Sequence, residues 1–393
     1  MKDFVYSGTT EIVYGAAQLP LIVSKIAALG KRILIVPTPS FVAGGHYEPF
    51  RAALEEAGLD IYCLHAGKEP LLSKVNEGIL LCSKEQIDAV IGIGGGVSMD
   101  LAKSIALGAL HTDVPFEKYL TYELSTEGLD HLPVVTVPTN PMSGSETNAD
   151  VQITLDDSGM QVGCAVGQAV FTWLNPVYML SLPNKVLIYG QMTAFVQLSI
   201  NYLNLSRSVL AEHYAEASMK SILECLRTSL AEPENQEARG TLLLNSALSL
   251  SGLNDFGREP EFIPYPLQSF AQRYLGLNYT QALTGLFPYW IKAIYRASSD
   301  KSIFYRYFEE ILHVSTARKT EEALLQEALQ ALQKLYREFG IAFSYGEMAE
   351  DPKEHQKLVD MIASFGPMPC HIMSVTPETL ADIIEDSINT NLQ

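Results

Sequence analysis

Histidine is scarce in this chain, cysteine is sparse and unpatterned, and positive charge is in deficit. The eight histidines are His46, His65, His111, His131, His213, His313, His355 and His371, so residues 132–212 and 214–312 contain no imidazole. The five cysteines, Cys63, Cys82, Cys164, Cys225 and Cys370, are far apart and form no C-x-x-C pair. That excludes a disulfide framework or a cysteine zinc cage and fits free thiols in a reducing cytoplasm. Lys and Arg number 27 against 45 Asp and Glu, a net charge of −18, with no basic block. Nucleic acid and anionic membrane surfaces are therefore not expected partners, because nothing offsets the repulsion. A small anion remains compatible, since backbone N–H groups can hold one locally. No apolar run reaches the roughly 18 residues a membrane span needs. The opening Met1–Gly8 has no apolar core of a secretion signal either.

What the chain does have is size and alternation. Its 393 residues are 47% hydrophobic, enough for two domains. The central stretch is Ile91-Gly-Ile-Gly-Gly-Gly-Val-Ser-Met-Asp-Leu-Ala-Lys103. Ala89–Ile93 has the composition of a buried strand, and the residues from Asp100 onward are good helix formers at helical spacing. Gly94, Gly95 and Gly96 between them let backbone lie against a ligand, and a helix starting there directs free N–H groups at it. A pyrophosphate cradle or a plain tight turn both satisfy that pattern.

Further strands are expected within residues 1–14 and at Arg32–Val36, Asp60–Leu64, Leu132–Val137, Asp150–Leu155 and Ala169–Trp173. Helices are expected at Ala16–Leu29, Tyr47–Ala57 and Leu72–Cys82, and Thr38-Pro39-Ser40 reads as a turn. Strands alternating with helices imply a doubly wound parallel sheet whose ligands sit beyond the strand C-termini. From Pro183 the texture becomes helical: Val186–Leu205, Val209–Ala231, Gln236–Leu253, Pro266–Tyr274, Gln281–Ala297, Lys301–Val314, Lys319–Phe339 and short helices over 351–390. The expected fold is thus a Rossmann-like α/β domain, residues 1–180, followed by an all-α domain, residues 181–393.

Several spaced motifs resemble the iron-containing (group III) alcohol dehydrogenases, in their butanol-dehydrogenase-like branch. Gly94-Gly-Gly-Val-Ser-Met-Asp-Leu-Ala-Lys103 is similar to that family's cofactor turn, Gly-Gly-Gly-Ser-x-x-Asp-x-Ala-Lys. Pro138-Thr-Asn-Pro-Met-Ser-Gly-Ser-Glu146 with Asn148 resembles its Gly-Ser-Glu loop. Asn175-Pro176, Ser181-Leu-Pro183, Glu237-Ala-Arg239 and Leu286-Phe-Pro-Tyr-Trp290 follow in the family's order. The resemblance implies a dehydroquinate-synthase-like architecture and hydride transfer between a nicotinamide and a small alcohol or aldehyde. It also implies a homodimer, by family habit. Cofactor-binding positions implied are Thr38, Ser40, Gly94, Gly95, Gly96, Val97, Ser98, Asp100, Thr139, Asn140 and Ser143.

The family also holds a divalent metal, iron or zinc, on one Asp and three His of the helical domain. Carried onto this chain, those positions fall on Thr193, Gln197, Glu261 and Tyr279, and a histidine near the nicotinamide falls on Tyr265. A neighbouring acidic position falls on Ile200. Threonine, glutamine and neutral tyrosine bind iron and zinc weakly, and the histidine-free stretches cannot replace them. No catalytic iron or zinc is expected. Glu261, Tyr265 and Tyr279 are candidates for a proton-donating cluster, or for residues that merely pack in a relict cleft. Thr38-Pro39-Ser40 also lacks the carboxylate that would accept from a ribose 2′-OH, which favours NADP slightly over NAD.

Two functional readings follow. One is an NAD(P)H-dependent oxidoreductase without the family metal. The other is a catalytically inactive relative that still binds a dinucleotide or another ligand. A sugar-phosphate lyase or cyclase on the same architecture would need the same missing histidines.

Overall fold

A computed structural model describes residues 3, 4, 6–259, 261–348, 352–364, 370, 372, 373 and 375–390. Met1, Lys2, Val5 and His371, named above, lie outside the described residues, as do 351, 365–369 and 374 of the stretch expected to hold short helices. In chain order the elements begin β1 (Glu11–Tyr14), α1 (Leu19–Ala27), β2 (Arg32–Pro37), α2 (Pro39–Ala43), α3 (Tyr47–Glu56) and β3 (Asp60–Cys63). They continue with α4 (Leu72–Glu85), β4 (Ala89–Gly94), α5 (Gly96–Leu110), α6 (Glu117–Leu120), β5 (Val134–Pro138), β6 (Asp150–Thr154), β7 (Gln161–Ala165) and β8 (Phe171–Leu174). Helices follow: α7 (Asn184–Tyr202), α8 (Val209–Ala231), α9 (Gln236–Ser249), α10 (Pro264–Leu275) and α11 (Tyr279–Ala297). The last are α12 (Ser302–Glu310), α13 (Glu321–Glu338), α14 (Pro352–Ala363) and α15 (Pro377–Ile388).

The main sheet has the order β1-β8-β5-β4-β2-β3, every pair parallel. Its strands alternate faces with period two. Leu34, Val36, Val90 and Val134 pack with Leu101 and Ile105 on one side. Ile33, Ile35, Ile91, Ile93, Val135 and Val137 pack with Ile22, Phe50 and Trp173 on the other. Burial on both faces is why these strands read as continuous apolar runs. β2 and β3 leave the sheet centre in one direction and β4, β5 and β8 in the other. The strand order therefore reverses between β2 and β4, and ligands on open α/β sheets sit beyond the strand C-termini at such a point.

The expected α/β-then-helical organisation is present, with four local corrections. Thr38–Ser40 is the entry to the short helix α2 rather than a turn, because Pro39 fits a first helical position. Among the described residues, strand pairing near the N-terminus is confined to Glu11–Tyr14, matched to Phe171–Leu174. The glycine-bearing segment Gln161–Ala165, read above without a strand, pairs antiparallel with β6 across the Asp156–Gly159 turn. Its single interior glycine and short length hide it from pattern reading. The helix expected over Lys301–Val314 ends at Glu310, and His313 takes a left-handed backbone, φ 55°.

The compact units are interleaved along the chain rather than consecutive. One comprises Ser7–Gln191 and Glu224–Gly252, the other Met1–Tyr6, Met192–Leu223 and Leu253–Gln393. A single cut after residue 180 cannot describe this, because all of α9 belongs with the sheet: Thr147 Oγ1 donates to Ala247 O, and Gln191 Nε2 donates to Pro141 O at 3.0 Å and Leu242 O at 3.5 Å.

Ile91 is wholly buried at the centre of the sheet. Ile91→Ala should destabilise the sheet unit by about 2–5 kcal/mol, read as a lower urea midpoint of the far-UV transition. An unchanged midpoint would contradict the core assignment.

Candidate functional site

In the sheet unit, the residues expected to hold a cofactor converge at the strand-order reversal. Thr38 N donates to Ile93 O at 2.9 Å and Thr139 N to Gly94 O at 2.9 Å, so the ends of β2, β4 and β5 are tied edge to edge. Gly94 has φ 151°, and a Cβ there would fall 2.1 Å from Thr38 Cγ2. Only glycine fits, since any side chain would collide with the neighbouring strand end. α5 then starts at Gly96 with no side-chain cap on its first N–H groups, which leaves those donors open to a ligand. Asn140 and Ser143 lie against Gly95 and Gly96. Gly95, Gly96, Val97, Thr139, Asn140 and Ser143 are all half-buried, as the floor of a surface cradle would be.

Two buried oxygens at this cradle, Ser98 Oγ and Asn140 Oδ1, have no hydrogen-bond partner. Orphaned polar atoms beside open helix N–H groups fit a polyoxygen ligand such as a dinucleotide phosphate. Thr38 Oγ1 and Ser40 Oγ lie 3.1 Å apart at the end of β2, with no carboxylate between them.

Asp100, grouped above with the cofactor contacts, bonds within the protein. It is buried, and its oxygens accept from Ser145 Oγ at 2.6 Å and Gln152 N at 3.0 Å. Lys103, one turn further along α5, donates to Asn148 O and Asn148 Oδ1, each at 3.2 Å, and to Asp150 O at 2.7 Å. Burial raises the pKa of Asp100 and lowers that of Lys103, and their mutual attraction opposes both shifts. These two side chains fasten the Pro138–Asn148 loop to the glycine-turn helix, a role that motif reading alone does not show.

In the helical unit, α7 carries Thr193 and Gln197 on one face, four residues apart. α11 begins at Tyr279 and Thr280, fixed by a capping box in which Asn278 accepts from Gln281 N and Gln281 accepts from Asn278 N. Thr193 Oγ1 and Thr280 Oγ1 are 2.8 Å apart, and Gln197 Nε2 donates to Tyr279 Oη at 3.3 Å. The fold thus joins three of the four positions the family resemblance assigned to metal, and adds Thr280. Glu261 is buried, and Ile263 N donates to it at 3.1 Å and Cys370 Sγ at 3.2 Å. Burial pushes the Cys370 thiol up to about 11. No sequence signal linked Cys370 to Glu261, since 109 residues separate them. Tyr265 is half-buried in the first turn of α10.

Two hydroxyls, an amide and a phenol do not fit iron or zinc, which favour imidazole, carboxylate and thiolate. Among the described residues, no group of three or more His, Cys, Asp or Glu side chains is placed to hold a metal ion. No helix among them is long and apolar enough to cross a membrane.

A sequence model of the family described as iron-containing alcohol dehydrogenase matches residues 9–172. The chain is 25% identical over 350 residues to a probable NADH-dependent butanol dehydrogenase 1 of Bacillus subtilis (strain 168), covering 86% of this chain and 88% of that protein. It is 22% identical over 302 residues to the NADPH-dependent aldehyde reductase YqhD of Escherichia coli (strain K12), covering 76% of each. Among solved structures, NADH-dependent butanol dehydrogenase A from Thermotoga maritima superposes with a TM-score of 0.89 at 24% identity, covering 98% of this chain and 99% of that one. That likeness establishes the shared fold.

The Thr193–Thr280 contact is buried and can be tested by a double-mutant cycle. Thr193→Val or Thr280→Val alone should cost about 1–3 kcal/mol, because each removes a buried hydrogen bond. The double variant should recover part of the loss. Strictly additive losses in chemical denaturation would show that the two hydroxyls do not interact.

Proposed function

The chain belongs to the iron-containing alcohol dehydrogenase family, and from that premise we propose that it is an NAD(P)H-dependent oxidoreductase of a small alcohol or aldehyde that works without the family's catalytic metal. The observation that carries this reading is the contrast between the two units. The glycine turn keeps open helix donors beside orphaned Ser98 and Asn140 oxygens, whereas three of the four metal positions, Thr193, Gln197 and Tyr279, carry neutral hydrogen-bonded side chains.

A bound nicotinamide supplies the hydride chemistry. Gly94–Ser98, Thr139, Asn140 and Ser143 bind and orient the dinucleotide. Thr38 and Ser40 offer hydroxyls and no repelling carboxylate to a 2′-phosphate, so NADP is preferred over NAD. In aldehyde reduction Tyr279 Oη–H gives its proton to the substrate oxygen as that atom gains charge. Gln197 Nε2, donating to the same Oη, stabilises the phenolate left behind, and water restores the proton. In alcohol oxidation the proton returns along the same path. Glu261 is held by Ile263 and Cys370 and positions the chain before Tyr265. Five free thiols suit a reducing cytoplasm, and a homodimer is the assembly expected by family habit.

Nucleotide fluorescence titration with metal analysis of the purified protein tests the reading. Saturable NADPH binding, weaker NADH binding, and turnover of simple aldehydes at sub-stoichiometric metal are expected. Absence of nucleotide binding at about millimolar concentration would sink it, and binding without turnover would favour the inactive alternative. Tyr279→Phe should lower kcat by about 10²–10⁴ while leaving nucleotide affinity unchanged, and unaltered kcat would remove Tyr279 from the mechanism. Joint replacement Thr193→Asp, Gln197→His, Glu261→His and Tyr279→His should create stoichiometric zinc binding. A folded variant that stays metal-free would show that these positions do not form a metal cage.

A further inference from the structure

Glu146 ends the Gly144-Ser145-Glu146 stretch of the cofactor loop and has no part in the reaction above. Its side chain is fully buried, and neither carboxylate oxygen has a hydrogen-bond partner. The charged groups that act on it are Asp100 and Lys103, both on α5, and Asp150 at the start of β6 is coupled to both of them. β5 contributes only Thr136, whose hydroxyl donates to the Glu146 main-chain carbonyl at 3.5 Å.

Hydrogen-bond capacity assigns the charges. Asp100 accepts from Ser145 and Gln152, the donors an ionised carboxylate requires. Lys103 has three N–H donors, and its three acceptors are Asn148 O, Asn148 Oδ1 and Asp150 O. No Lys103 proton is left for Glu146. One cation thus faces two buried carboxyl groups, Asp100 and Glu146, and a third, Asp150, at the exposed start of β6, and the buried carboxyl without donors is the one that cannot remain charged.

We propose that Glu146 is held as a neutral carboxylic acid beneath the cofactor loop, and that loss of its proton loosens that loop, making it a pH sensor. Burial pushes the Glu146 carboxyl up to about 7; its own main-chain N–H, which makes no hydrogen bond of good geometry to it, and Lys103 pull back only in part, and Asp100 adds to the rise. Glu212, Glu310, Glu322 and Glu378 are held below the usual carboxylate range instead.

The sign of the pH effect follows. The folded chain binds this proton more tightly than the unfolded chain, whose glutamate pKa is about 4.3. The stabilisation is present in full below that value, is lost as pH rises toward about 7, and levels off above it.

Glu146→Gln keeps the shape and cannot ionise. Between about pH 5 and about pH 8 the thermal midpoint of the wild-type protein should fall by about 5 °C relative to the variant. Hydrogen exchange over 138–148, corrected for intrinsic rate, should quicken in the wild type alone. Parallel midpoints or equal exchange in the two proteins overturn the proposal.

The wild type carries its own test should the variant fail to fold. Infrared spectra of protein with 13C-carboxyl glutamate should show one neutral glutamic acid near pH 6.5, where exposed glutamates are ionised, and none by about pH 8.5. A spectrum with no neutral glutamic acid near pH 6.5 overturns the proposal. None of these measurements depends on nucleotide binding, so their failure is distinct from failure of the oxidoreductase reading.

Discussion

The end of β4 is pressed directly against the end of β2, and much of the sheet unit is arranged around that contact. A Cβ at Gly94 would overlap Thr38, and one at Gly92 would lie 2.8 Å from Ser98 O and 2.9 Å from Met99 Cα. Two glycines in one strand therefore let a neighbouring strand end and the following helix close in at the same point. The close approach brings the first turn of α5 to the place where strand order reverses. Its open N–H groups owe their position to this steric condition and to the parallel register Val36↔Gly92 and Pro37↔Ile93.

The second constraint is electrostatic. Asp100 and Lys103 face the interior from α5, and each fastens a different part of the next loop. A buried lysine and buried carboxyls persist only where hydrogen bonds replace lost hydration. Here Asp100 and Lys103 have those bonds, while Glu146 has none on its carboxyl oxygens. The loop that bears Asn140 and Ser143 thus rests on a buried network whose charge balance is uneven. The helical unit handles polarity differently. Thr193, Gln197, Tyr279 and Thr280 are mutually hydrogen-bonded neutral groups, which need no counter-ion to remain buried.

The cradle was legible in the sequence because its components are local. Three consecutive glycines between a β-branched run and a helix-forming run specify a strand–turn–helix, and the burial of Ile33–Val36 on both faces follows from composition. β7 was not legible, since a five-residue strand with a central glycine carries little pattern and exists only by pairing with β6. The contacts of Asp100 were not legible because a carboxylate near a helix start usually faces its own backbone, whereas this one faces Ser145 and Gln152 across 45 and 52 residues. The Glu261–Cys370 contact had no signature either.

The sequence by itself determined the alternation of strand and helix, the glycine turn, the family resemblance, and the lack of histidine over 132–212 and 214–312. Each of these depends on residue identity and short-range spacing. Tertiary structure alone decided which buried polar groups meet. It brought Cys370 to Glu261, paired Thr193 with Thr280 and Gln197 with Tyr279, interleaved the two compact units, and left Glu146 without donors among charged neighbours. Hydrogen bonding and desolvation act across space at a few ångströms, and separation along the chain does not encode which distant side chains will come within that range.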